Sequence, residues 1–250
     1  MDLNKFFKSC KNQAIDLCLK SHETTVVNIG NSKYGGRPDM PEDFLWPMDD
    51  EQRPLSLLFQ INCEELTDFH LEELLPTSGR LCFFYELGKQ DWEGLKNSVR
   101  VVYDDTPTEL LHRVNFPESL SEEFRLDEFA LYYRVRDSYP SLEDVNPNHP
   151  DYNLLQMQDD KYFELRQNLQ SVPNDRSVSL ASILGYADLI ENNVVNDVKD
   201  YVLLLQMPSI EVEYMKELLF GDCGTIYFYI SREDLKNRNF SNIKFEMQCY

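Results

Sequence analysis

Two stretches of this chain carry one pattern, and that repetition limits the possible folds more than any single motif does. The first runs Leu57-Leu58-Phe59-Gln60-Ile61, then Leu74-Leu75, Gly79, the aromatic run Leu81-Cys82-Phe83-Phe84-Tyr85, and Val101-Val102-Tyr103. The second runs Leu203-Leu204-Leu205-Gln206-Met207, then Leu218-Leu219, Gly224, Ile226-Tyr227-Phe228-Tyr229-Ile230, and ends over Ile243 to Met247. Order is kept and the spacings differ by one or two residues, as two copies of one supersecondary unit would give. The pattern predicts an α+β fold, internally duplicated, of mostly antiparallel, sheet-rich units with covering helices. Repeat one is expected at 24–104, a bridge at 105–179 and repeat two at 180–250, packed as a single domain over 1–250. A chain of 250 residues can bury about three quarters of its unfolded surface, so this core needs no disulfide or metal.

Local periodicity fills in the elements. Leu3, Phe6, Phe7, Cys10, Ala14, Leu17 and Cys18 recur at spacings of three and four, which predicts one amphipathic helix opening the chain. Thr24 to Ile29 reads as a strand leading into the loop Gly35-Gly36-Arg37-Pro38. Prolines at 38, 41, 47 and 54 rule out regular helix between them and predict an extended strap held by Phe44 and Trp46. In Ser56 to Ile61, alternation puts Leu57, Phe59 and Ile61 on one face and Leu58 and Gln60 on the other; Leu204 and Gln206 share a face in the same way. Short helical stretches are expected at 63–66, 71–75 and 210–219, a strand at 129–136, a proline-rich loop at 138–151 and a helix at 159–170. Ser231, three residues before Asp234, reads as a helix cap.

Charge and cysteine usage bound the function. Net charge is -20, so a nucleic-acid backbone would be repelled; the balance suits solubility or a basic protein partner instead. Six cysteines show no C-x-x-C pair and no histidine at metal-ligand spacing, which fits free thiols in a reducing cytoplasm. The first twenty residues lack a signal-peptide core, and no apolar run is long enough for a membrane span.

Candidate site residues come from the repeats and their loops. Gln60 and Gln206 each place an amide among apolar neighbours; they either recognise a ligand or satisfy backbone groups of the adjoining glycine loop. Arg37, beside two glycines, can clamp an anion or pair with Asp39. Trp46 is a hot-spot residue type in a strap that also suits a core cover. Asp222 lies in a tight turn, where one acid makes a poor cation site. No cofactor, metal or catalytic residue is assigned: the four histidines are scattered, and neither a nucleophile elbow nor a phosphate loop is present.

Taken together, Gly35-Gly36-Arg37-Pro38, Phe44-Leu45-Trp46-Pro47, Pro54 to Ile61, Leu75-Pro76 with Ser78-Gly79, Leu184-Gly185-Tyr186, Leu203 to Gln206, Gly221-Asp222 and Asp234-Leu235 with Asn239-Phe240 resemble the YwqG-like bacterial family, a domain of unknown function. The resemblance implies a cytosolic bacterial protein with an internally repeated, sheet-rich α+β fold, and it implies no reaction. Association places such proteins in toxin and immunity settings. This chain departs from the family pattern at Pro208-Ser209-Ile210, where acids are expected, and at Ala187, where proline is expected. The leading expectation is a non-enzymatic binding module of the toxin-immunity type. The alternative is a small-molecule binder or enzyme whose pocket lies between the repeats, lined by Gln60, Gln206, Arg37 and tyrosines.

Overall fold

The apolar run Ser56–Asn62 (β4) is buried along nearly its whole length, so both of its faces must be covered. The computed structural model, which describes residues 2–20, 26–69, 75–90, 97–172, 177–191 and 200–249, shows how. Ten strands form one antiparallel sheet. At its centre, Asn12–Leu19 (β1) pairs with Phe129–Ser138 (β8). On the β8 side lie Lys33–Tyr34 (β2), then β4, then Arg80–Tyr85 (β5) and Val99–Asp104 (β6). On the β1 side lie Ser179–Ile183 (β9), Tyr201–Pro208 (β10), Thr225–Ser231 (β11) and Lys244–Gln248 (β12). Asp39–Met40 (β3) and His112–Arg113 (β7) make a separate two-stranded ribbon.

The two wings of the sheet pack face to face through their aromatic runs. Phe83 on β5 meets Phe228 on β11 edge-on, with ring centroids 5.5 Å apart; Tyr85 packs on Phe220 and Phe245, and Tyr103 on Phe240. Edge-on geometry matches the quadrupoles of aromatic rings, and one continuous core results. The outer face of each wing carries a smaller cluster. Met40, Leu55, Leu57, Cys82 and Phe84 lie under Phe44 and Trp46 on one, and Ala187, Leu203, Tyr227 and Tyr229 lie on the other.

Several expectations are corrected by this architecture. The opening helix, Leu3–Cys10 (α1), stops eight residues short of Cys18, and the chain continues from it into the central strand β1. From Ala14 to Leu19 every residue is buried, which a strand between two neighbours achieves and a surface helix cannot. The stretch expected as a bridge, 105–179, supplies β8, where a strand is expected at 129–136, and through it runs across the centre of the sheet. Residues 26–29 are irregular, with Thr24 and Thr25 outside the described residues, as are Leu71 to Leu74 of the expected second short helix. The other, at 63–66, is present as the longer 3-10 turn Cys63–Phe69. Ile210 to Leu219 form no helix: Ile210 bridges Leu218, and Ser209 Oγ accepts from Phe220 N and donates to Gly224 O.

The face assignment along β4 also shifts. Register slips between Leu57 and Phe59, and again between Leu203 and Leu205, so a bulge turns both Leu58 and Phe59 inward. Leu57 and Gln60 therefore face outward, as do Leu203 and Gln206. The predicted helix at 159–170 is found as Asp159–Gln170 (α3), after the short helix Tyr152–Gln156 (α2), and Ser231 caps Arg232–Lys236 (α4) by accepting from Asp234 N at 3.0 Å.

All six cysteines are free, and no helix among the described residues is long and apolar enough to cross a membrane. Burial pushes the Cys63 thiol up to about 12 and that of Cys82 higher. Maleimide is thus expected to modify exposed Cys223 first in the native protein and to reach Cys18, Cys63 and Cys82 only after unfolding. Peptide mass spectrometry reads this directly, and modification of native Cys82 would contradict the fold.

Candidate functional site

The geometry grows from a sharp turn after β2. Gly35 and Gly36 take φ of +61° and +68°, and a Cβ on Gly35 would lie 2.3 Å from the Asp127 carbonyl oxygen, so only glycine fits. The turn delivers Asp39 to Gln60: Asp39 N donates to Gln60 Oε1 at 2.8 Å, and Gln60 Nε2 donates to Asp39 Oδ2 at 2.8 Å and to the Asn31 carbonyl at 2.9 Å. Charges close around them. Lys33 Nζ lies 2.9 Å from Asp39 Oδ2 and 3.5 Å from Glu128 Oε2, while Arg113 bonds Asp39 Oδ1 and Glu128 Oε1 at 2.8 and 2.9 Å. Two cations balance two carboxylates, and Lys33 and Asp39 have no exposed side-chain surface. Burial opposes the charge on Asp39. The Arg113 hydrogen bond, the Lys33 charge and the Gln60 hydrogen bond outweigh it and hold the carboxyl below its ordinary range.

A second turn, after β9, builds the same contacts and leaves them open. Leu184 and Gly185 take φ of 61° and 71°. A leucine there stores strain of about 1–3 kcal/mol, offset by its burial in the core. Asp188 N donates to Gln206 Oε1 at 2.8 Å, and Gln206 Nε2 donates to Ser182 Oγ at 2.8 Å and to Asp188 Oδ2 at 3.3 Å. Three arginines converge here. Arg134 Nη2 and Arg136 Nε donate to Asp16 at 2.6 and 2.8 Å, and Arg166 Nη2 donates to Asp188 Oδ1 at 2.5 Å. β1 supplies Asp16, β8 supplies Arg134 and Arg136, and α3 supplies Arg166. Each is fixed by regular backbone.

Asp16, Arg134, Arg136, Ser182, Asp188 and Gln206 line an open cavity of about 520 Å³. This volume suits a small molecule. Two guanidinium groups face two carboxylates in that lining, and Arg166, which is not part of it, pairs with Asp188. Arg136 carries the spare donors: its Nη1 is 3.5 Å from the Asp137 carbonyl and its Nη2 is 3.6 Å from Asp188 Oδ2, both long. Such a lining can offer a polar ligand charge-assisted hydrogen bonds. Among the described residues, no group of three or more His, Cys, Asp or Glu is placed to hold a metal ion.

Residues 32–249, which include both glutamine turns and β8, match the family described as Domain of unknown function (DUF1963). The chain belongs to that family. No curated protein matches it. Asp16, on β1, lies outside the matched residues.

In this DUF1963 chain the residues singled out from sequence fall in separate places. Gln206 lines the cavity, whereas Gln60 is sealed in the closed cluster; the space between the wings is filled by aromatic rings, so the two amides share no pocket. Arg37 donates to Asn115 Oδ1 at 2.8 Å, and Asp39 takes Arg113 and Lys33 in its stead. Trp46 donates through Nε1 to the Leu55 carbonyl at 2.8 Å and packs on Phe84 and Phe116, so it covers the outer cluster. Asp222 is exposed in the turn before β11. Sequence reasoning missed Asp16, Arg134, Arg136, Arg166, Ser182 and Asp188. Two signals pointed to them: a lone acid inside the apolar run Ala14 to Leu19, and arginines two apart, on one face of a strand.

Proposed function

We propose that this protein is a binding module for a small polar molecule, held in the cavity over Gln206. The observation that carries the reading is Arg136: it faces the cavity with two terminal nitrogens in long contacts only, beside the half-exposed carboxylate of Asp188. Those groups can exchange weak partners for a ligand's. A thermal-shift screen with small polar metabolites tests it. A ligand at a hundred times its dissociation constant adds about 2.7 kcal/mol, or about 5–10 °C for a chain of this size. The reading predicts such a shift for wild type and its loss in Arg136→Ala, each compared with its own unliganded state; an equal shift in the variant removes it.

A duplication with exchanged first strands accounts for the site. Read from either edge, the sheet runs as a four-strand wing, a long strand, a long strand and a four-strand wing, and each long strand is paired with the opposite repeat's wing. Supporting observations are the matched bulges, the two positive-φ turns and the two glutamines bonded to the aspartate that ends each turn. On this reading the repeats begin at β1 and β8, one copy of the site has closed on its own Lys33, and the other has stayed open.

A second reading, a toxin-immunity module that covers a basic protein partner, is favoured by the net charge of -20. Pull-down from native lysate at low salt tests it, and retention of no protein partner counts against it. The six free cysteines favour a reducing, cytoplasmic setting for either reading.

A further inference from the structure

Lys33 and Ser182 hold matching places in the two turns: each lies opposite its glutamine, Lys33 across from Gln60 and Ser182 across from Gln206. Each also stands six residues before its aspartate. What differs is the side chain. Lys33 reaches 2.9 Å from Asp39 Oδ2, an oxygen that also accepts from Gln60 Nε2 at 2.8 Å and Gly30 N at 3.0 Å. Ser182 is too short to do this, so Asp188 Oδ2 has contacts at 3.3 Å from Gln206 Nε2 and 3.6 Å from Arg136 Nη2, with its side chain 44% exposed. The closed copy thus displays, within the same molecule, the group that its open counterpart would accept: a primary ammonium.

We infer that the cavity takes a small zwitterion of the free α-amino-acid type, its ammonium on Asp188 Oδ2 as Lys33 sits on Asp39, and its carboxylate on the terminal nitrogens of Arg136. The inference rests on the reading of this cavity as the ligand site. The 3.6 Å separation of Arg136 Nη2 from Asp188 Oδ2 requires the ligand's two charges to lie close together, as they do when one carbon bears both. A planar guanidinium with two terminal nitrogens to offer suits a carboxylate. Net charge argues the same way. A bare anion is repelled by a protein of charge -20, and a bare amine would leave the arginine side of the cavity unanswered, whereas a zwitterion serves both groups at no net charge.

Isothermal titration of the full chain with the twenty common L-α-amino acids tests this, followed by the N-acetyl derivative and the decarboxylated amine of each one that binds, and by 6-aminohexanoate, whose charges lie far apart. The expected result is binding of at least one free amino acid, weakened about tenfold or more in each of these three analogues, the loss of one charged hydrogen bond. Ser182→Lys is expected to supply its own ammonium to Asp188 and to abolish binding while staying folded by circular dichroism. Should that variant not fold, Asp188→Asn must weaken the free amino acid about tenfold or more relative to its N-acetyl form. Equal binding of free and N-acetylated forms, or unchanged affinity in these variants, overturns the zwitterion while leaving the cavity as a ligand site. So does binding at the cavity only of molecules without an ammonium. If no polar metabolite of any kind binds, both readings fall.

Discussion

Asp39→Ala is expected to destabilise the protein by about 3–5 kcal/mol, because it strands Lys33 and Arg113 in a closed cluster. Asp39 accepts from Lys33, Gln60, Gly30 and Arg113, and an alanine would leave each of those donors to find another partner where water does not reach. Urea denaturation measures the cost as a lower midpoint at unchanged slope. The matched substitution, Asp188→Ala, is expected to cost about 1 kcal/mol or less, since that carboxylate is 44% exposed and its pairing is screened by solvent. Equal losses at the two positions would contradict the distinction between a closed and an open turn. The Asp39 carboxyl gives a pH signature. Its value is lowered by folding, so its contribution is present above the ordinary carboxylate range and is lost as pH falls below about 4 through the folded value. Asp39→Asn should therefore lose less stability than wild type over that acid interval.

Phe83→Ala is expected to cost about 3–5 kcal/mol by opening a cavity between the wings. Phe83 is fully buried and its ring meets Phe228 edge-on at 5.5 Å, so the wings cannot close the gap without moving two strands of the sheet. Phe228→Ala should cost a similar amount from the opposite wing. The double variant should lose less than the sum, by a coupling of about 0.5–1.5 kcal/mol for the aromatic pair. Additive losses would mean that the two rings do not face each other, and the sheet would not fold over as described.

Much of the sheet was legible because its signal is local. Apolar runs such as Leu81 to Tyr85 and Ile226 to Ile230 are buried on both faces, and sequence alone says so. The capping serine at 231 and the acids at the start of α3 likewise act within one turn. β1 was hidden because a buried strand with Asp16 at its middle offers no alternation, and its apolar residues fit a helical period by chance over a short span. The bulges at Leu58 and Leu204 were hidden for a related reason: one extra residue changes which side chains share a face without changing composition. The site was least legible. Gln60 and Gln206 stood out, but Asp16, Arg134 and Arg136, which line the cavity with Gln206, and Arg166, which pairs with Asp188, come from strands and a helix far away in the chain, and the pairing of β1 with β9 brings Asp16 to the wing formed by the second half.

The ligand is proposed to sit at the open turn, over Asp16, Arg134, Arg136, Asp188 and Gln206. A crystal structure of the protein with the strongest amino-acid or metabolite hit tests it most directly. Ligand density is expected to bridge Arg136 and Asp188, with Lys33 still bonded to Asp39 on the other wing. Density elsewhere, such as beside Arg37 or on the Trp46 strap, with the Arg136 cavity unchanged, would contradict it.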